Sequence, residues 1–221
     1  MMDLTELDSL EPAETLTDPR EEWMLMRRGK ITGSNFPKLL GKGRTKGQEF
    51  TQSGLTYLRS VAAERLGSWT FEASARSLEW GNKWEPIGLE EYEKRYGQAL
   101  QVGQFAFCEF NDWIGSTPDG LVGHDGCVEL KCPVTPTVHM NTLITGEIPS
   151  EYLWQCHGHL LCSGRAWCDF VSFDPRMQAD CQMIRIRLER DGDSMKRLRD
   201  RLKLAAETVA EMVKAAKRQL K

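Results

Sequence analysis

The most constraining feature of this chain is a change of period in its middle. Residues 101–108, 112–116 and 126–132 are short apolar stretches separated by Asn-Asp or Asp-Gly turns, the pattern of strands in a β-meander. On either side the apolar residues recur at helical spacing. Leu55, Leu58, Ala62 and Leu66 mark a helix over 51–66, and a longer helix is expected over about 82–96 with Gly97 as its stop. A short helix is read at 20–28, with Trp23 and Met26 on one side. Helices follow at 135–144 and 150–162, strands at 166–173 and 182–188, and a basic amphipathic helix from about 192. Strands bracketed by helices give an α/β or α+β fold with a central mixed sheet.

Three local details sharpen that outline. Pro86 removes a backbone donor, so it is expected in the first turn of the long helix or at a kink. Thr32 or Ser34 is placed to cap a second short helix by accepting from its first-turn amides. The stretch Gly41–Gly47 (GKGRTKG) reads as a mobile basic loop.

At 221 residues without internal repeat or low-complexity linker, the chain is read as an acidic, flexible leader over 1–19 and a single domain over 20–221. No apolar run approaches the roughly 20 residues of a membrane helix, and the N-terminus is acidic rather than basic-then-apolar. The expectation is a cytoplasmic protein without membrane association. The seven cysteines form no C-x-x-C pair and sit among apolar residues, as buried free thiols do.

The net charge of −3 argues against a nucleic-acid binder until its distribution is considered. Residues 1–18 hold six acids and no base. From Trp23 to Gln48 there are seven bases and no acid: Arg27, Arg28, Lys30, Lys38, Lys42, Arg44 and Lys46. Such a run can gather phosphates; a solvated helix face and loop would read the same way.

The chemistry-bearing segment is Ser116-Thr-Pro-Asp119-Gly, separated by nine residues from Glu129-Leu-Lys131-Cys. Alternation along a strand sends Glu129 and Lys131 to one face, while Val128 and Leu130 point into the core. Asp119, at the preceding turn, reaches the same edge. Hard carboxylate oxygens suit Mg²⁺ or Mn²⁺, and a lysine beside them can orient or deprotonate a water or neutralise a phosphate. Taken alone, Asp-Gly is a common turn and E-x-K on a strand is often a solvated charge pair.

Four ordered blocks carry more weight than that pair. STPDGLVGHDGCVELKCP, the upstream WGNKWEPIGLEEYEKRYG, the N-terminal WMLMRRGKITGSNF, and EYLWQCHGHL followed by a strand and FDPRM together resemble the phage lambda exonuclease, or YqaJ-type viral recombinase, family of PD-(D/E)xK nucleases. The resemblance spans roughly residues 20–190. It implies a restriction-endonuclease-like core and digestion of double-stranded DNA ends 5′→3′, leaving a 3′ strand for a single-strand annealing recombinase. It also implies a homotrimeric ring. By the same resemblance, Asp119, Glu129 and the Leu130 carbonyl hold Mg²⁺ (Mn²⁺ possible), Lys131 assists the attacking water, and Glu85 holds a second metal or its waters. Arg27 matches the arginine that grips a terminal 5′-phosphate, with Ser34 donating to the same group. Arg28 and Arg44 are further DNA candidates, a solvated surface arginine being an equal reading of each. Leu78 aligns with a residue that wedges the end base pair, although ordinary packing also explains it. Gln155 matches a glutamine near the active site. His157 stands where relatives carry a second glutamine, and neither it nor His159 is assigned to metal. Two rivals share the fold: a restriction-like or repair endonuclease, and a non-catalytic DNA-binding module.

Overall fold

The carboxylate of Asp18 accepts from the Arg20 amide and caps helix α1 (Pro19–Arg27). The structure is a computed structural model that describes residues 18–68, 76–101 and 106–219, and the backbone alone at 76–78. After α1 come β1 (Ile31–Thr32), a 3₁₀ turn at Gly33–Asn35, α2 (Pro37–Leu40), α3 (Gln52–Arg65) and α4 (Arg76–Tyr96). Four strands follow: β2 (Cys108–Asn111), β3 (Ile114–Ser116), β4 (Gly120–Val122) and β5 (Gly126–Lys131). The chain ends with α5 (Pro136–Thr145), α6 (Ser150–Ser163), β6 (Trp167–Phe173), β7 (Met183–Glu189) and α7 (Gly192–Arg218).

The mixed sheet expected from the sequence is present, in the order β4-β5-β6-β7, with helices on both sides. β5 and β6 run parallel over six residue pairs, and the flanking pairs are antiparallel. A second, three-stranded sheet in the order β1-β3-β2 stands beside it. The expected meander is therefore corrected. β2 and β3 do form a hairpin, but the chain then changes sheet, and β4, which the Asp-Gly turn signal had hidden, pairs with β5. The strand expected over 101–108 begins only at Cys108, and residues 102–105 lie outside the described residues.

β5 is buried along nearly its whole length, so its residues face two packed layers. Val128 and Leu130 meet Leu89 and Tyr92 of α4 together with Val171 and Phe173. Cys127 faces Cys156 and Leu160 of α6, backed by Leu198 and Leu202 of α7. Gly88 lets α4 lie this close: a β-carbon there would meet Leu130 at 2.9 Å and Phe173 at 3.0 Å. α6 bridges the two sheets, touching β2 and β3 of one and β5 and β6 of the other.

Two helix readings are corrected. α4 starts at Arg76, so Pro86 lies inside it rather than in its first turn. Pro86 and Asn82, the residue whose carbonyl loses its donor, are both exposed, and water can satisfy that carbonyl. Neither Thr32 nor Ser34 caps a helix. Thr32 makes no cap bond and lies against the Tyr57 hydroxyl at 3.3 Å, and α2 begins behind Phe36 with Pro37 at its first position. The short helix expected with Trp23 and Met26 on one side is α1, which buries no residue. Four cysteines (127, 132, 156, 168) are buried, and 108, 162 and 181 are partly so.

Candidate active site

The β4–β5 hairpin is held at its turn by one guanidinium. Arg165 donates to the carbonyls of Val122, Gly123 and Gly126 at 2.8–3.2 Å, and Gly123 takes the left-handed backbone the turn requires (φ 51°). Just before β4, the Asp119 amide donates to the Val128 carbonyl at 2.9 Å, and its Oδ2 accepts from the Leu130 amide at 2.7 Å. The carboxylate is thus fastened to the strand that carries Glu129 and Lys131. Glu129 is fully buried. Its Oε1 is ion-paired with the Lys131 ammonium. Its Oε2 accepts from Nε2 of His159 on α6 at 2.5 Å. Lys131 keeps part of its side chain in solvent and lies 5.8 Å from the Tyr152 ring centroid; that ring stacks on Phe170.

The electrostatics follow from burying three acids beside one base. Burial, then the charge of Glu129, pushes the Asp119 carboxyl up to about 7 against the pull of Lys131. Burial also raises Glu85, with Lys131 opposing and Glu129 adding, which puts Glu85 of α4 within electrical reach of the same cluster. Burial would raise Glu129 too, but Lys131 and His159 outweigh it and hold that carboxyl below its ordinary value. Burial would lower Lys131, yet Glu129 and Asp119 together hold it above the ordinary lysine range. Of the roles open to Lys131, this arrangement favours a charged donor over a base.

The residues suit a hard divalent cation. Asp119 carries a penalty for its negative charge that a cation would relieve, and the fully buried Glu129 sets a second carboxylate beside it. Among the described residues no three His, Cys, Asp or Glu side chains stand close enough to hold an ion unaided. An ion here would complete its shell with backbone carbonyl, such as that of Leu130, and water, as Mg²⁺ commonly does.

The N-terminal candidates form a second region. The Trp23 indole donates to Thr117 Oγ1 at 2.9 Å, and the Arg27 guanidinium lies over the Trp23 ring, 4.1 Å from its centroid. Arg27 is thereby linked through Trp23 to the residue two before Asp119. Arg28 donates to the carbonyls of Gly67 (2.8 Å) and Ser68 (3.2 Å). Ser34 and Arg44 are exposed. Gln155 is buried one turn before His159 on α6. Leu78 lies where side chains are outside the described residues. Sequence reasoning did not assign Ser116, Thr117, Tyr152 or His159 to the site. The helical spacing of Gln155 and His159 was the one signal available.

With this geometry in view, comparison with known proteins decides the family. The model of the YqaJ-like viral recombinase domain matches residues 22–166. The chain belongs to that family. An alkaline exonuclease, LHK-Exo from Laribacter hongkongensis, is 31% identical, with 90% of this chain and 97% of that chain covered and a TM-score of 0.78. The structure of LHK-Exo in complex with dAMP gives a TM-score of 0.81 at 29% identity, over the same shares of the two chains. A phage-related exonuclease from Haemophilus somnus 129PT shares the fold at 13% identity and a TM-score of 0.68, covering 87% of this chain and 99% of its own. No curated protein matches the chain. The fold is that of the alkaline exonucleases, restriction-endonuclease-like, as expected for this YqaJ-family member. No helix among the described residues is long and apolar enough to cross a membrane.

Proposed function

We propose that the protein is a divalent-cation-dependent exonuclease that digests double-stranded DNA from its ends in the 5′→3′ direction. Its 3′ single-stranded product would pass to a single-strand annealing recombinase. Family membership and the exonuclease relatives support a DNA nuclease of recombination. The observation that carries the catalytic reading is the cluster of Asp119 and Lys131 around the buried Glu129, with Glu85 within electrical reach of it.

Asp119, Glu129 and the Leu130 carbonyl would hold the cation, Mg²⁺ in preference to Mn²⁺, and Glu85 a second ion or its waters. When bound, the cation supplies charge neutralisation at the scissile phosphate and lowers the pKa of a water. The chain's own contribution is placement. Asp119 and Glu129 are fastened to one hairpin, so their oxygens need no rearrangement. Lys131 donates to the attacking water or a phosphate oxygen, and its positive charge offsets the charge that develops there. Arg27, steadied on Trp23, grips a 5′-terminal phosphate with its planar fork, with Ser34 nearby in sequence to donate to the same group. Arg44 tracks the backbone, and Gln155 lines the site from α6. Arg28 has the weakest claim among these, because carbonyls already occupy it. A ring of three copies around the duplex belongs to the same proposal.

The reading is tested by supplying 5′-labelled and 3′-labelled linear duplexes and covalently closed circles with Mg²⁺. Early release of the 5′ label, late release of the 3′ label and intact circles are expected. Nicked circles would move the assignment to an endonuclease, and an absence of Mg²⁺-dependent cutting would leave only a DNA-binding role.

A further inference from the structure

Two histidines are fully buried with both ring nitrogens engaged, and they differ in what they touch. His139 on α5 lies between Ser172 Oγ and the Cys181 carbonyl, each at 2.8 Å. Both partners are neutral, as suits a histidine that ties elements together. His159 on α6 lies between Ser116 Oγ at 2.7 Å and the Glu129 carboxylate at 2.5 Å. One of its partners is the proposed cation ligand.

From this we infer that His159, braced by Ser116, is a positioning residue that fixes the side-chain conformation of Glu129 for cation binding; the inference rests on the cation site proposed above. A carboxylate only accepts, so Nε2 carries the proton toward Glu129 Oε2, and Nδ1 shares a hydrogen bond with the Ser116 hydroxyl. Holding Oε2 from behind leaves Oε1 on the side of Lys131, with which it is ion-paired. Glutamate has three side-chain torsions, and an unheld carboxylate would lose that freedom only on binding the ion. An outer partner that orients a ligating group in advance removes this cost from the binding step. The brace itself is pinned. A β-carbon at Gly33 would stand 2.1 Å from Ser116 Oγ, so the turn following β1 closes over the serine. Ser116 and His159 come from β3 and α6, elements that β5 does not adjoin in sequence.

The test uses the full chain without DNA and Mn²⁺ as the probe, with the free ion followed by electron paramagnetic resonance. Folding of each variant is checked by circular dichroism. Ser116→Ala and His159→Leu are expected to weaken Mn²⁺ binding about tenfold, the usual scale for loss of an outer partner. His159→Gln can donate to Glu129 and accept from Ser116, so it is expected to recover most of that loss. In a parallel assay, the Mg²⁺ concentration for half-maximal digestion shifts upward in the same order, while DNA-end affinity stays at the wild-type value. If His159→Leu does not fold, Ser116→Ala decides, since it removes only the brace. Glu129→Gln separates the two levels. Weakened Mn²⁺ binding in Glu129→Gln together with unchanged binding in Ser116→Ala and folded His159→Leu would overturn the positioning role alone. Unchanged Mn²⁺ binding in Glu129→Gln would overturn the cation site and the positioning role with it.

Discussion

The two regions that would meet DNA are built on opposite principles. Around β5, Glu129 is buried and Asp119 half-buried, and they are wired to the Leu130 amide, Lys131 and His159. Along residues 27–46, the bases range from half-buried to exposed, and several already have protein partners. Arg28 is bound to carbonyls, Lys30 pairs with Glu109 at 3.3 Å, and Lys38 donates to Asn35 at 2.7 Å. Arg44 and Lys46 are exposed at the loop. The difference reflects what each task requires. Electrostatic stabilisation of a reacting phosphate rewards groups that are already in place and shielded from water. Following a backbone of changing sequence rewards exposed charge, at little energy per contact. Arg27 is the exception that joins the two, since Trp23 ties it to Thr117 beside the acidic cluster.

The strongest way to break this contrast is Asp119→Asn. Digestion of linear duplex should fall by about a thousandfold, on the scale of losing a preorganised catalytic group, while affinity for DNA ends changes little. The same variant should be more stable than wild type at pH 8 by roughly 1–2 kcal/mol, as is common when a strained functional residue is relieved. The sign follows from the raised carboxyl. Folding disfavours the charged form, so the penalty is full above about pH 7 and fades as pH falls toward the ordinary carboxylate range. Thermal melts at pH 8 and pH 5 should therefore show the advantage of Asn shrinking at the lower pH. Equal melting at both values would contradict the burial argument.

Arg27→Ala tests the joining residue. A charge-assisted hydrogen bond is worth about 1.5–3 kcal/mol, so the preference for 5′-phosphorylated over 5′-hydroxyl ends should fall by about ten- to a hundredfold. Comparable loss on both kinds of end would remove Arg27 from the phosphate. Trp23→Phe keeps a ring beneath Arg27 and deletes the bond to Thr117. A neutral hydrogen bond contributes about 0.5–1.5 kcal/mol, so the same preference should drop only about three- to tenfold, as an increase in KM with kcat kept. Smallest is Arg44→Ala, which should leave the rate at low salt alone and reduce the salt dependence of DNA binding by about one phosphate contact.

How far the sequence could be read follows the range of the interactions. The helices and most strands show in local periodicity, and α3, α5, α6 and α7 fall within a residue or two of their expected places. The meander did not survive, because turn residues announce a reversal but not which sheet the next strand joins. β3 pairs in parallel with β1, some 80 residues away, and β5 with β6 across two helices. The proposed site residues Asp119, Glu129 and Lys131 stand out in the sequence as a motif, and Glu85 and Arg27 only through the family resemblance. His159 was visible as a helical neighbour of Gln155 but looked like an ordinary core histidine. Only the fold brings β3, β5 and α6 to a single carboxylate. Thr117 was hidden in the same way, its role appearing only when α1 folds back to set Trp23 against it.

The central claim is that the chemistry resides in the buried cluster while the open region only holds DNA. Lys131→Ala measures this most directly, with digestion of 5′-phosphorylated linear duplex at saturating Mg²⁺ followed beside binding to the same ends. The account predicts that binding persists and digestion is lost by at least about a hundredfold, the range for removing a single catalytic donor. Digestion at the wild-type rate in a folded Lys131→Ala protein would contradict it.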